Sequence, residues 1–257
     1  MVLSMEEKMR LYGFNNLTKS LSFNIYDICY AKTERAQRDY IAYIDEQYNS
    51  ERLTNILYQL TEMIGANVIS VSRQDYEPQG ASVTFLIAEE SMVKQAGDTV
   101  VAHLDKSHVT VHTYPEFHPE SSLATFRVDI DVATCGDITP LSTLDFLISS
   151  FDSDIIIMDY KVRGFTRELN GKKLFIDHEI KSIQDYIDDK TLERYDAIDI
   201  NVYQSNIFHT KMLIKEVVLQ NYLFNADVYE IAPKTRLTIT NKLRQEMIEI
   251  FSGVNVF

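Results

Sequence analysis

Leu53, Ile56, Leu57, Leu60, Met63 and Ile64 recur at helical spacing after Ser50-Glu51, which predicts an amphipathic helix over 50–64 with an apolar stripe to bury. Downstream the period shortens to two, and residues 68–73, 81–88, 100–104, 108–114 and 125–132 read as strands. In the last of these Phe126, Val128, Ile130 and Val132 alternate with Arg127, Asp129 and Asp131, so one face meets a core and the other is wet or paired. Thr139-Pro140 then opens a second helix with proline in its first turn and Leu141, Leu144, Ile148 and Phe151 on one side. Residues 154–163 read as a further strand, and Asn170-Gly171 as a hairpin turn into a short partner at 172–176. Beyond it the pattern predicts a helix over 177–187, strands near 197–203 and 212–219, and a final helix around 240–251.

Antiparallel strands with helices gathered on one face predict an α+β layer, not a doubly wound parallel sheet, and no dinucleotide fingerprint is present. A chain of 257 residues with 45% hydrophobic content can bury a full core, as one large domain or two small ones. No repeat, low-complexity segment or flexible linker marks a boundary. There is no apolar run of about eighteen residues, and residues 1–8 lack a basic-then-apolar signal pattern, which predicts a cytosolic protein without a membrane partner. The two cysteines, Cys29 and Cys135, are too few for a disulfide framework and suit a reducing compartment where a thiol can do chemistry. A formal net charge of -13 argues against nucleic acid and would attract a cationic substrate.

The chemistry concentrates in the run Ala102-His103-Leu104-Asp105-Lys106-Ser107-His108-Val109-Thr110-Val111-His112-Thr113-Tyr114-Pro115-Glu116 and in Thr134-Cys135-Gly136-Asp137. Three further stretches accompany them: Tyr12-Gly13-Phe14-Asn15-Asn16-Leu17-Thr18, Arg73-Gln74-Asp75-Tyr76-Glu77-Pro78-Gln79-Gly80-Ala81-Ser82, and Asp159-Tyr160-Lys161-Val162-Arg163-Gly164-Phe165-Thr166-Arg167. In this order they resemble the bacterial S-adenosylmethionine decarboxylases nearly end to end, and most closely the long, gamma-proteobacterial form of that family. The resemblance implies an enzyme that cuts its own backbone between Lys106 and Ser107 and converts Ser107 into a covalent pyruvoyl group. That group would hold the amine of S-adenosylmethionine as a Schiff base while carbon dioxide leaves, on the way to spermidine. By the same resemblance His112 is the processing histidine and Cys135 the proton donor. Tyr76 and Tyr114 would stack on adenine, Glu116 would bind the ribose, and Ser82 and Thr84 would line the pocket.

The family fold is an α/β layer that pairs with a second unit as an α/β/β/α sandwich, so the resemblance implies a homo-oligomer of four α and four β chains. It also implies a pyruvoyl-decarboxylase core over 1–166 and an α+β extension over 167–257 that packs on it. Long-form members are commonly activated by Mg²⁺, but no spacing of acidic residues identifies its ligands. Between Glu90 and Val100 the chain is shorter than long relatives. Residues 107 and 112 differ by five and fall on opposite faces of an ideal strand, so a turn or bulge is expected at the scissile bond. Three rival readings are a pyruvoyl-dependent arginine or ornithine decarboxylase, an inactive regulatory partner, and a zinc protein using His103, His108, His112 and His118. Tyr76 and Glu116 speak against the first, the presence of Ser107, His112 and Cys135 against the second, and the lack of ligand-pair spacing against the third.

Overall fold

The computed structural model describes residues 11–13, 15–89, 107–118 and 120–256. The strand expected at 100–104, His103, Lys106 and the shortened segment after Glu90 lie outside them. The chain opens with β1 (Thr18–Tyr30), α1 (Glu34–Gln47) and α2 (Ser50–Met63), followed by β2 (Ala66–Asp75), β3 (Ala81–Glu89), β4 (Ser107–Phe117) and β5 (Leu123–Cys135). A 3₁₀ turn (Pro140–Thr143) runs into α3 (Leu144–Ser150), then β6 (Ile155–Arg163) and the small hairpin of β7 (Thr166–Arg167) and β8 (Lys173–Leu174). The last part holds α4 (Asp189–Leu192), β9 (Tyr195–Asp199), β10 (Ile207–Ile214) and α5 (Pro233–Ser252). Eight strands form one sheet in the order β2-β3-β4-β5-β1-β6-β10-β9, and every neighbouring pair is antiparallel.

β1 sits at the centre of this sheet because Leu21, Phe23 and Ile25 alternate with Ser20, Ser22 and Asn24, a period-two pattern with a fully buried face. On that inner face α1 contributes Tyr40, Ile41 and Ile44, α2 contributes Leu53, Leu57 and Leu60, and the 140–150 segment adds Leu141, Leu144 and Leu147. The helix starts are specified locally. The Thr33 hydroxyl accepts from the Ala36 amide at 3.1 Å and the Asn49 side chain from the Arg52 amide at 2.9 Å, caps that each contribute about 1 kcal/mol.

The α+β antiparallel expectation matches this architecture, but the helices do not all lie on one face. Ile239, Leu243 and Met247 of α5 cover Ile28, Leu123 and Ile155 on the opposite side of the sheet. The cause is local: at that end β1, β6 and β10 turn Ile28, Ile155, Ile157 and Leu213 outward, and an apolar outer surface needs a cover. The helix expected at 177–187 is also absent. Ile180, Ile183 and Ile187 are buried as helical spacing suggests, yet only Ile183–Tyr186 closes, as a 3₁₀ turn capped by Ser182. β9 and β10 begin a few residues before the positions expected for them. Among the described residues no helix is long and apolar enough to cross a membrane.

Candidate functional site

Ser107 is the first residue of β4, 7% exposed, and pairs with Ile87 of β3. The adjoining strand β5 ends at Cys135, a free thiol of intermediate exposure whose backbone partner is Thr18 of β1. Ser107 and Cys135 therefore share one end of the sheet. The turn after Cys135 is held from several sides. The Thr134 hydroxyl donates to the Ile138 carbonyl at 3.1 Å, and the Gly136 amide to the Leu17 carbonyl at 3.1 Å. Gly136 has φ 74°, a left-handed conformation that glycine adopts without a Cβ penalty.

Next to this turn lies a partly buried polar network. The Asn15 side-chain amide donates both to Asp137 at 3.1 Å and to Asp177 at 2.8 Å, while its oxygen accepts from the Leu17 amide at 3.1 Å. Lys19, 1% exposed on the inner face of β1, reaches Asp177 at 2.6 Å. His178 pairs with the other Asp177 oxygen at 2.7 Å. Burial alone would raise the Asp177 carboxyl, but the His178 hydrogen bond and the Lys19 charge overcome it and hold it well below the usual carboxylate range.

A second group occupies the middle of the outer sheet face, where His112 lies between Ser82 of β3 and Asp129 of β5. Thr84 sits one step away, opposite Thr110. The Tyr76 hydroxyl and the Ser82 hydroxyl are 2.7 Å apart, and the ring of Tyr114 lies parallel to His112 at 6.4 Å. Arg127 covers one face of Tyr114 at 4.2 Å and pairs with Asp129 at 3.1 Å, which also accepts from Asn24 at 2.7 Å. Glu116 is exposed farther along β4, opposite Thr125. The tight approach of β3 to β4 depends on Gly80, where φ is 93° and a Cβ would stand 2.7 Å from the Thr113 carbonyl oxygen.

β4 thus brings Ser82, Tyr76, Tyr114 and His112 together, but it does not bring His112 to Ser107 of the same chain. The β4 register is continuous against β3 from Ser107 through His112 and against β5 from His108 onward. Five residues at about 3.3 Å each separate the two by about 17 Å, on opposite faces. A bulge at the scissile bond would involve Lys106, which lies outside the described residues. Among the described residues, which do not include His103, no three His, Cys, Asp or Glu side chains converge to hold a metal ion. Four participants were not singled out from sequence: Arg127, Asp129, Lys19 and Asp177. Lys19 did leave a trace, a lysine at the buried phase of an alternating strand between Leu17 and Leu21.

The other end of the sheet carries a cavity of about 880 Å³ bordered by Asp27, Cys29, Tyr40, Asp154 and Tyr222. Burial pushes the Asp27 carboxyl well up, with the charges of Asp154 and Asp152 adding to it, and pushes Asp154 up to about 6. Asp27 lies nine residues along β1 from Thr18, about 30 Å from the Cys135 end.

Fold and site together define an α+β protein built on one large antiparallel sheet, with a buried serine opening one strand and a free thiol closing the next. Known proteins give that class a family. A family profile described as S-adenosylmethionine decarboxylase matches residues 42–164. An S-adenosylmethionine decarboxylase proenzyme of Clostridium botulinum (strain Alaska E43 / Type E3) is 69% identical over 272 aligned positions, which cover 100% of both chains. The proenzyme of Alkaliphilus oremlandii is 67% identical with the same coverage. That of Halorhodospira halophila is 60% identical over 97% of this chain and 96% of its own. A crystal structure of the Aquifex aeolicus adenosylmethionine decarboxylase aligns with 65% of this chain and 99% of its own, at 20% identity and a TM-score of 0.34. The chain belongs to the S-adenosylmethionine decarboxylase family.

Proposed function

We propose that Ser107 is the source of the catalytic group in this chain, which decarboxylates S-adenosylmethionine to S-adenosylmethioninamine, the aminopropyl donor for spermidine. The enzyme is a pyruvoyl-dependent carboxy-lyase made as a zymogen. The observation that carries the assignment of residues is that a buried Ser107 opens β4 at the same end of the sheet where Cys135 closes β5. In processing, the Ser107 hydroxyl attacks the Lys106 carbonyl carbon, and the peptide becomes an ester as the Ser107 nitrogen is released. A base then removes the Ser107 Cα proton, and the acyl group leaves as the carboxylate of Lys106. The dehydroalanine left behind takes up water, releases ammonia and ends as pyruvoyl on a chain of residues 107–257. A pyruvoyl carbonyl supplies the electron sink that decarboxylation needs. Cys135, on the neighbouring strand end, delivers the proton that replaces carbon dioxide.

His112 is the base in this reading, and its separation from Ser107 along β4 supports its coming from a second copy. The outer face from β2 to β5 presents Ser82, Thr84, Thr110, His112, Asp129 and Asp131, none of which belongs to a cluster covered by a helix, α5 reaching only Leu123 at the far end of β5. Two copies laid outer face to outer face would set the partner's His112 against the Cys135 end of the sheet, and the start of β4 would have to turn Ser107 toward that face for the histidine to reach it. The same face supports Tyr76, Ser82, Thr84, Tyr114 and Glu116 as the nucleoside contacts. Arg127 takes one side of Tyr114, and the ring, 43% exposed, keeps a side for adenine. An assembly of four α and four β chains, a cytosolic location and the gamma-proteobacterial long form complete the proposal. Full-length similarity to relatives supports the long form. Residues 167–257 act as an extension of the core, since β9 and β10 continue its sheet. No step is assigned to Mg²⁺, for which the described residues offer no converging ligands.

Intact mass of the denatured protein tests this directly. The wild type should separate into residues 1–106 and a pyruvoyl-capped 107–257, and Ser107→Ala should remain one chain without decarboxylase activity. Cleavage of Ser107→Ala at the same bond would remove Ser107 from its role.

A further inference from the structure

We infer that Asn15, Lys19 and Asp177 form a buried clamp that positions Cys135, so that protonation falls on the substrate carbon and not on the carbon derived from Ser107. The inference rests on Cys135 being the proton donor. Cys135 is the last residue of β5, and two kinds of contact fix the turn after it. One is backbone: Thr18 pairs with Cys135, and the Leu17 carbonyl accepts from the Gly136 amide at 3.1 Å. The other is the clamp. Asn15 holds Asp137, two residues beyond Cys135, at 3.1 Å, and its own orientation is fixed by Asp177 at 2.8 Å and the Leu17 amide at 3.1 Å. Asp177 is in turn anchored by Lys19 at 2.6 Å and by His178 at 2.7 Å. Lys19 is next to Thr18, the residue that pairs with Cys135.

Stability alone is a poor reason for such a pair. Taking an ammonium and a carboxylate out of water costs more than apolar side chains of similar volume in the same place, and Lys19 is 1% exposed. What a hydrogen-bonded ion pair supplies and an apolar pair does not is direction. Asn15 is aimed at Asp137 because Asp177 and the Leu17 amide fix its other two contacts. The clamp therefore joins three remote segments, 15–19, 134–138 and 177–178, at the turn that follows Cys135. It also gives the part of the chain beyond residue 167 a function at the reacting centre.

Two carbons compete for the proton after carbon dioxide leaves. Protonation at the substrate carbon frees the amine product and restores the pyruvoyl group. Protonation at the Ser107-derived carbon lets water release the remainder of the substrate as an aldehyde. The amine nitrogen then stays on the chain as an alanyl N-terminus, which N-terminal sequencing reads and a pyruvoyl cap blocks. The number of turnovers per alanyl end reports where the proton goes, independent of how much enzyme is folded.

The test compares Asn15→Ala, which leaves the Lys19–Asp177 pair in place, with Asp177→Asn, using S-adenosylmethionine and the self-cleaved enzyme. Both should show turnovers per alanyl end reduced about tenfold, since a shift of about 1 Å at a reacting group can cost about a hundredfold. An unchanged ratio in both overturns the clamp, and so does failure of both to self-cleave, which would assign these residues to folding. Cys135→Ala separates the two ideas. If that variant keeps the wild-type ratio, the proton-donor reading fails and takes the clamp with it. If it loses the ratio while Asn15→Ala and Asp177→Asn keep it, only the clamp fails.

Discussion

Asp154 accepts hydrogen bonds from the Ile28 amide at 2.8 Å and the Tyr222 hydroxyl at 2.6 Å. Burial nevertheless pushes its carboxyl up to about 6, because those two donors do not replace the water it has lost. A raised carboxyl pKa means that the folded state holds the proton more tightly than the unfolded chain. The associated stability is present in full below about pH 4 and is lost as pH rises toward 6. Asp177 has the opposite sign: its lowered carboxyl contributes stability above about pH 4 and loses it on further acidification. Asp154→Asn keeps both hydrogen bonds, with the Tyr222 hydroxyl turned to accept, and removes the buried charge. We expect it to raise stability at pH 7.5 by as much as roughly 3 kcal/mol and to leave it nearly unchanged at pH 4. Thermal unfolding at the two pH values checks this. A variant destabilised equally at both would show that the carboxylate, not its neutral form, is what the fold uses.

α5 is attached through a single stripe, Ile239, Leu243 and Met247, spaced one helical turn apart. Its sequence period is legible as a final helix, but its side of the sheet is not. That side depends on Ile28, Ile155 and Leu213 lying outward on three strands distant in sequence. β4 and β5 are legible for the opposite reason: each alternates over enough residues to declare its own buried face. β1 alternates as cleanly but is not predicted, with Lys19 standing at a core phase where a charge argues against burial until Asp177 is known. No local pattern could supply Asp177, which is 158 residues from Lys19 and sits where Ile180, Ile183 and Ile187 imitate a helix. There the Ser182 hydroxyl accepts from the Gln184 amide at 2.9 Å and turns the backbone early. The catalytic run is legible as a motif, while the distance from Ser107 to His112 comes from strand register. Leu243 tests the independence of α5. Leu243→Ala removes its central contact at a cost of about 2–5 kcal/mol. We expect hydrogen exchange to rise across 233–252 while self-cleavage at Ser107 continues. Equal loss of protection in α2 would mean that the two faces of the sheet form one cooperative unit.

At the scale of the assembled molecule, the roles proposed for Ser107 and His112 are not met along one chain's β4. On a continuous strand they stand about 17 Å apart on opposite faces, too far for a base to reach the Ser107 Cα proton. Proton transfer needs the two within hydrogen-bond distance or one water of each other. If a partner supplies His112, two defective chains can repair one another. A Ser107→Ala chain has an intact histidine and nothing to cut, and a His112→Ala chain has an intact serine and no base. Expressed separately, each should remain whole. Co-expressed in equal amounts with one chain tagged, random pairing gives each His112→Ala chain a Ser107→Ala partner about half the time, and about half of those chains should be cut before Ser107. The Ser107→Ala chains should stay intact throughout, which identifies the chain that received help. Absence of any cleavage in mixed assemblies, with the tagged and untagged chains shown to co-purify, would place His112 in the same chain as its serine. The segment before Ser107 would then have to carry the scissile bond across to the outer face.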